Sequence, residues 1–359
     1  MKILLISPFP TGGGVGYFYN HIKSHFTCDV HYFYTGRCKK NSFPIIGLIM
    51  DYFSFVRKIV GSGYDLIHIN PSLRANAVIR DGIFLLIAKL FRKKTIVFFR
   101  GWDDQFESII KRRYSKLFGW VYFYADSIIV LASRFKSALQ EMGYTKPIFL
   151  ETTLVPDEVF DLSKTEHFKN GVNGKMNILF LSRIEKYKGV YEAIEAFIFL
   201  KKKYSFITLS LAGDGAELDA VKYYLESRSV ADVTITGWLD GEKKMEAFKN
   251  ADIYLFPSYA EGLPNSLLEA MAFGLPVITR PVGGIKDFFQ DGVMGFLTES
   301  TEPLALAQVC ELLIKDNEKR AVIGQFNRKY ASEHFLASKV CKRLEAVYTA
   351  VVHNNSNIK

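Results

Sequence analysis

Residues 256–278 read Phe256-Pro257-Ser258-Tyr259-Ala260-Glu261-Gly262-Leu263-Pro264-Asn265-Ser266-Leu267-Leu268-Glu269-Ala270-Met271-Ala272-Phe273-Gly274-Leu275-Pro276-Val277-Ile278. A strand runs into a loop, the loop into a helix, and the helix into another strand. Pro264 suits the first helical turn, and Gly274 with Pro276 stops the helix. Leu268, Met271 and Ala272 form its apolar stripe. Glu269 lies inside that run, where an unpaired carboxylate is costly, so it needs a partner. A ligand's hydroxyls could be that partner; a surface position is the alternative. Glu261 precedes the helix, close to its positive dipole end and to the strand end, and could equally be a helix-start carboxylate.

The same strand-then-helix alternation extends in both directions. The strands predicted in the first half are Lys2–Ser7, Asp29–Tyr34, Leu66–Asn70, Thr95–Phe99 and Ser127–Ala132. Those in the second half are Asn177–Ser182, Ile207–Ala212, Val233–Thr236, Ile253–Pro257 and Pro276–Thr279. Several are continuous apolar runs, as expected of strands covered on both faces. Helical patterns such as Val190–Lys203 and Ser266–Phe273 lie between them. Such alternation predicts parallel sheets built from βαβ units, and it happens twice. The fold class is therefore α/β, with two doubly wound Rossmann-like domains facing across a cleft. The polar stretch Pro156–Gly174 reads as their junction. The domains expected are 1–160 and 175–335, with 336–359 a helix returning to the first domain and then a frayed polar tail.

The chain has 359 residues, 49% of them hydrophobic and 23% charged, enough for two domains with sizeable cores. Four scattered cysteines (Cys28, Cys38, Cys310, Cys341) form neither a disulfide framework nor a zinc motif, which fits a reducing cytoplasm. The opening Met1–Pro8 reads as a first strand, not a secretory signal. The longest apolar stretch, Gly82 to Leu90, is about half of what a bilayer span needs. Net charge is +9, unevenly placed. The first 150 residues carry 21 basic against 9 acidic side chains, and 28 of the 52 aromatics. That half suits an anionic partner, such as a membrane surface or a phosphorylated acceptor. A solvated basic surface over a Phe-rich core is the plainer explanation.

In open α/β sheets, ligands sit at the carboxyl ends of the strands. After the first strand comes Pro8-Phe9-Pro10-Thr11-Gly12-Gly13-Gly14-Val15-Gly16, a glycine run leading into a helix. Gly13 and Gly14 could let backbone approach a phosphate or sugar, or simply form a turn. It is not the dinucleotide fingerprint, because the third glycine would fall on Tyr17. In the second half, Arg183 ends a strand and Lys188 stands five residues on, before the next helix. Together they could clamp two linked phosphates, one as a planar fork and one as a point charge. A leaving diphosphate gains charge as its bond breaks, so fixed cations there favour the transition state. The turn Gly213-Asp214-Gly215 and the pair Gly283-Gly284 follow further strands and are readable as ordinary turns.

Taken together, these motifs resemble the retaining glycosyltransferases of family 4, which have the GT-B fold. The resemblance is strongest over Asn177 to about Thr298 and rests on Glu261 and Glu269 at the Glu-x7-Glu spacing. Ser-Arg…Lys-Gly at 182–189, Ala-Gly-Asp-Gly at 212–215, Gly-Trp-Leu at 237–239 and the loop at 12–14 agree in order and spacing. The resemblance implies a nucleotide-diphosphate sugar held mainly by the second domain. Arg183 and Lys188 would contact the diphosphate, and Glu269 the ribose hydroxyls. Glu261, Gly262 and Leu263 would meet the sugar, and Trp238 and Leu239 would line the base. Gly213 would pack near the donor, and the acceptor would sit on the first domain. No metal is expected, and no Asp-x-Asp motif occurs. One departure stands out. Many members carry a His after a late strand of the first domain, whereas this chain has Arg100-Gly101-Trp102-Asp103. Arg100 or Asp103 could take over that contact; His68 reads as a packed strand histidine.

The function expected is a cytoplasmic, retaining hexosyltransferase of surface polysaccharide synthesis, such as O-antigen, lipopolysaccharide or capsule. Its acceptor would be a glycan, lipid-linked, met at an anionic membrane face. The segment Ile45–Val60 mixes Ile, Leu, Met, Phe and Tyr with Arg57 and Lys58, as an interfacial helix does. No nucleic-acid motif accompanies the charge. The rival expectations are a GT-B sugar-nucleotide epimerase and a catalytically inert binding or assembly homologue.

Overall fold

Two parallel sheets organise the protein, and each lies in its own compact unit. The computed structural model describes residues 1–8, 13–36, 44–162 and 174–353. Unit 1 spans Met1–Thr153 and Ala337–Lys359, and unit 2 spans Leu154–Leu336. Contacts thus divide the chain at Thr153/Leu154, just ahead of the polar stretch 156–174. Helix Asp157–Leu162 belongs to unit 2, and 163–173 lie outside the described residues.

The strands of unit 1 are β1 (Lys2–Pro8), β2 (Asp29–Thr35), β3 (Leu66–Ile69), β4 (Ser72–Leu73), β5 (Lys94–Phe98), β6 (Gly101–Trp102), β7 (Ser127–Val130) and β8 (Ile148–Leu150). Six of them form a parallel sheet in the order β2-β1-β3-β5-β7-β8, while β4 and β6 pair separately. β3 and β7 are buried at every position, which is why they read as unbroken apolar runs. The returning helix Ala337–His353 buries Val340, Leu344, Tyr348 and Val351 in this unit. Glu345 on that helix accepts the backbone N–H groups of Thr27 (2.6 Å) and Cys28 (2.9 Å). Arg343 reaches the buried Glu151 carboxylate at 2.6 Å.

Unit 2 repeats the plan with β9 (Met176–Leu181), β10 (Ile207–Ala212), β11 (Val233–Gly237), β12 (Ile253–Phe256), β13 (Val277–Thr279) and β14 (Gly295–Leu297). All are parallel, in the order β11-β10-β9-β12-β13-β14. The chain winds outward from β9 to β11, then returns to β12 and winds the other way. The switch point therefore lies between β9 and β12, where an open α/β sheet leaves a crevice at its carboxyl edge. In unit 1 it lies between β1 and β3. Helices Val190–Lys201 and Pro303–Lys315 cover the β9–β12 region with an apolar cluster that includes Ile194, Phe197, Leu306 and Leu313. No helix among the described residues is long and apolar enough to cross a membrane.

His68, on β3, is fully buried. Its Nδ1 lies 2.7 Å from the Tyr348 hydroxyl of the returning helix and its Nε2 3.3 Å from the Tyr19 hydroxyl. It is a packed histidine, as its position in an apolar strand suggested. Burial, assisted by the nearby Arg100 charge, pushes its pKa down to about 3. The folded state then binds fewer protons than the unfolded chain, whose histidine titrates near 6.5. His68 therefore contributes fully above about pH 6.5, and that contribution is lost as pH falls toward 3. The unfolding free energy should drop across this window with a slope from His68 of up to about 1.4 kcal/mol per pH unit. Denaturant titrations of the wild type and His68→Gln between pH 7 and 4 should show a shallower slope in the variant. Equal slopes would rule His68 out as the source.

Candidate functional site

The loops leaving β9 and β12 meet at the switch point of unit 2. Lys188 is buried and places its ammonium 2.5 Å from Glu261 Oε1. The Ser258 hydroxyl donates to the same oxygen at 2.8 Å. The Tyr259 N–H donates to the Tyr187 carbonyl at 2.9 Å, stitching the two loops by their backbones. Their approach is so close that a Cβ on Gly189 would stand 2.4 Å from the Pro257 carbonyl oxygen, and Gly189 has φ +78°. Only glycine meets both demands without strain. Lys188 also faces the Tyr187 and Phe256 rings, at 4.9 and 5.8 Å.

Arg183 is half exposed and pairs with Glu185 at 3.0 Å. It also donates to the Tyr187 hydroxyl. Burial, then the hydrogen bond to Glu185, pushes the Tyr187 phenol up to about 12, so it stays neutral at ordinary pH. Arg183 and Lys188 thus flank one aromatic side chain.

The neighbouring loops are braced against this pair. Gly213 (φ +145°) leaves room for the Ser182 carbonyl, where a Cβ would come to 1.8 Å, and its N–H donates to Gly237 at 2.8 Å. Its amide is therefore taken up within the protein, and the Gly-Asp-Gly segment supports the Arg183 loop. Gly284 donates its N–H to the Gly262 carbonyl at 2.7 Å, and a Cβ on Gly283 would strike the Glu261 carbonyl at 2.1 Å. Leu263 is buried. Trp238 and Leu239 follow the edge strand β11, with Trp238 68% exposed and Leu239 half buried.

Glu269, on helix Asn265–Ala272, is 2% exposed, so the surface reading fails. It has a protein partner: the Lys244 ammonium lies 2.7 Å from Oε1 and 2.6 Å from Oε2. Sequence reasoning missed Lys244, which sits in the charged run Gly241-Glu242-Lys243-Lys244 and is marked there by nothing but its charge. It also passed over Arg280, which follows β13 and stacks on the Tyr259 ring at 4.0 Å.

In unit 1, Gly13 and Gly14 open helix Gly13–Ile22, and both are exposed. A Cβ on either would meet nothing within 4 Å, so no close contact requires glycine there; residues 9–12 lie outside the described residues. Asp103 caps helix Asp104–Ile109, accepting the Phe106 N–H at 2.9 Å. Arg100 lies over the Phe18 and Phe98 rings, at 3.8 and 4.5 Å, with Nε and Nη1 buried and unbonded. Burial pushes its pKa down to about 10, and it remains charged at neutral pH. The neighbouring carboxyl edge opens into a cavity of about 430 Å³ lined by Val15, Asn70, Ser72, Arg74, Asn76 and Arg80 among others. Arg80 is engaged with Asp81 through two hydrogen bonds of 2.7 and 2.8 Å.

Residues 163–330 match the family described as glycosyl transferases group 1. An uncharacterized glycosyltransferase of Methanocaldococcus jannaschii is 26% identical over 280 residues, covering 75% of this chain and 71% of the relative. The capsular polysaccharide biosynthesis glycosyltransferase CapM of Staphylococcus aureus is 30% identical over 186 residues. That match covers 51% of this chain and 48% of CapM. Among solved structures, Anabaena HepE in complex with UDP and glucose superposes with a TM-score of 0.71. It is 20% identical, over 98% of this chain and all of HepE. The likeness is one of fold, that of the GT-B glycosyltransferases, whose two Rossmann-like halves correspond to units 1 and 2.

The Lys244–Glu269 pair carries a stability consequence. Removing one partner of a buried ion pair costs about 3–5 kcal/mol, and somewhat less where, as for Lys244, part of the side chain reaches solvent. Lys244→Met should destabilise unit 2 on that scale, and adding Glu269→Leu should recover much of the loss. A double variant no more stable than the single one would show that Glu269 does not depend on Lys244.

Proposed function

We propose that the protein transfers a sugar from a nucleotide-diphosphate sugar to a glycan acceptor, with retention at the anomeric carbon. The observation that carries this reading is the Lys188–Glu261 pair, sealed at the switch point of a unit that matches the group 1 glycosyl transferases, with Arg183 beside it. Lys188 is rigid and buried, while Arg183 is free to turn from Glu185 toward an incoming phosphate. As the bond from the anomeric carbon to the diphosphate breaks, its electron pair passes to the leaving oxygen. Lys188, already in place, stabilises that charge without reorganising, and Arg183 joins it. Glu261, with the Gly262–Leu263 backbone, would hold the sugar hydroxyls, and Glu269, held in place by Lys244, the ribose hydroxyls. Trp238 and Leu239 would line the base. On unit 1, Gly13, Gly14 and Arg100 are the residues proposed to face the sugar and acceptor. Asp103 is left out of that role because its carboxylate is used as a helix cap. No metal is required in this scheme, since the basic residues supply the charge.

The acceptor proposed is lipid-linked and belongs to surface polysaccharide synthesis; the match to CapM supports that class of product. Helix Pro44–Ile59 supports membrane docking. Ile46, Ile49, Met50 and Phe53 are all exposed on one stripe of it, Phe53 by 69%, whereas Phe55 on the other side is buried. Arg57 and Lys58 close the same helix. A basic helix with an apolar outer stripe lies at a lipid interface, here on an anionic cytoplasmic face.

Two experiments follow. In the first, a panel of UDP-, GDP- and ADP-sugars is screened by thermal stabilisation. The true donor, at about 100 times its dissociation constant, should add roughly 2.7 kcal/mol. Arg183→Ala and Lys188→Ala should each slow transfer by about 10²–10³. Because Lys188→Ala strands a buried carboxylate, its unfolding is followed alongside, and Arg183→Ala is the cleaner variant. Wild-type turnover in both would sink the diphosphate assignment, and donor consumption without acceptor would favour an epimerase. Chelation with EDTA should leave the rate unchanged.

The second is vesicle co-sedimentation with anionic and neutral lipids at low and high salt. Binding should favour anionic vesicles and weaken with salt, each basic residue near the surface contributing about 1 kcal/mol. Ile49→Ser with Phe53→Ser should reduce it while leaving donor binding intact. Equal, salt-independent binding to both lipids, or none, would remove the membrane proposal and leave the transferase reading standing.

A further inference from the structure

Most of the cations at the carboxyl edge of the unit 2 sheet are already neutralised. Arg183 pairs with Glu185 at 3.0 Å, Lys186 with Glu217 at 3.8 Å, and Lys188 with Glu261 at 2.5 Å. A nucleotide diphosphate brings several negative charges, more than Arg183 and Lys188 supply while each also holds a carboxylate. Arg280, on the loop leaving β13, is different. It is 5% exposed, and its only side-chain partner among the described residues is Tyr259, not a carboxylate. Its Nε is buried without a hydrogen-bond partner. Its guanidinium lies over the Tyr259 ring at 4.0 Å, and the Tyr259 hydroxyl donates to Glu192 at 2.5 Å, so that platform is itself held in place.

A guanidinium cannot shed its charge, and a buried charge without a counter-ion is expensive. Arg280 is nonetheless joined to the site through the backbone of its own loop. Gly284, four residues on, donates to Gly262, and Gly283 lies against the Glu261 carbonyl. Tyr259, beneath the guanidinium, is bonded through its N–H to Tyr187, the neighbour of Lys188. This buried guanidinium, with no carboxylate in direct contact, therefore belongs to the same loop cluster as Lys188 and Glu261. A planar fork over an aromatic ring is suited to accept two oxygens of one anionic group.

We infer that Arg280 is a further donor-contacting residue, taking an anionic oxygen pair of the nucleotide sugar, either on its diphosphate or on a carboxylate carried by the sugar. This rests on the nucleotide-sugar reading of the site. The test uses the full chain and four compounds of the base selected by the donor panel: the nucleoside, its diphosphate, the diphospho-glucose and the diphospho-glucuronate. Dissociation constants are compared for wild type, Arg280→Gln and Arg280→Lys, with melting temperature measured without ligand. Loss of one charge-assisted pair should weaken binding about tenfold to 100-fold. If the diphosphate is the ligand, Arg280→Gln weakens all three phosphorylated compounds and spares the nucleoside. If a sugar carboxylate is the ligand, only the glucuronate is affected, and the donor is an acidic sugar. Should Arg280→Gln fail to fold, Arg280→Lys, which keeps the charge but loses the fork, decides by the same ratios. Either the same affinities in variant and wild type, or an equal loss for the nucleoside and its phosphorylated forms, overturns the inference. A wild-type protein that binds none of the nucleotides overturns the donor reading itself.

Discussion

A charge pair closed off from water must be complete, because either member alone would be a heavy penalty. Lys188 and Glu261 complete each other at 2.5 Å, and much of the unit 2 carboxyl edge is arranged so that they can. Gly189 lets one loop lie on the other, Gly283 lets the β13 loop lie on Glu261, and Ser258 occupies a further lone pair of the carboxylate. Gly213 and Gly215 then press the β10 loop onto the segment that carries Arg183, with Ile184 bonded to Asp214 at 2.9 Å. These glycines serve backbone-to-backbone contact. Lys188 is consequently fixed by its surroundings, whereas Arg183 is half exposed beside it.

Unit 1 concentrates its unusual physics in a buried polar cluster. Tyr19, His68, Asn70 and Tyr348 are linked in a layer next to Arg100, and the Tyr19 hydroxyl donates to Asn70 at 2.5 Å. Burial keeps His68 neutral and the tyrosines protonated, so the one permanent charge in the group is Arg100. Tyr348 belongs to helix Ala337–His353, which makes the end of the described chain part of the first unit's core. Loss of that helix would uncover the polar layer as well as apolar surface.

Much of this was legible in the sequence, for identifiable reasons. Continuous apolar runs such as Leu66–Ile69 and Ile253–Phe256 mark strands covered on both faces, and their alternation with helical periods specifies two parallel sheets. Short edge strands were missed: Ile148–Leu150 and Gly295–Leu297 have three residues each, too few for a period to show. The order of strands, and so the switch point, is set by long-range pairing that no local pattern records. The cost of burying Glu269 was readable from its apolar neighbours, and so was the need for a partner.

Which partner it has was not readable. Lys244 lies 25 residues away on another helix, and only the packing of that helix brings its ammonium within 2.7 Å. The same holds for Arg280, whose isolation from carboxylates is a property of everything packed around it, and for Asp103, whose role as a helix cap is settled by where the next helix begins. By itself, then, the sequence determined the architecture, the edge of each sheet at which chemistry belongs, and the residue types gathered there. Those follow from side-chain periodicity and turn chemistry, which act over a few residues. The tertiary structure decided which charges pair directly and which do not, because electrostatic pairing depends on distances of a few ångströms between residues far apart in the chain.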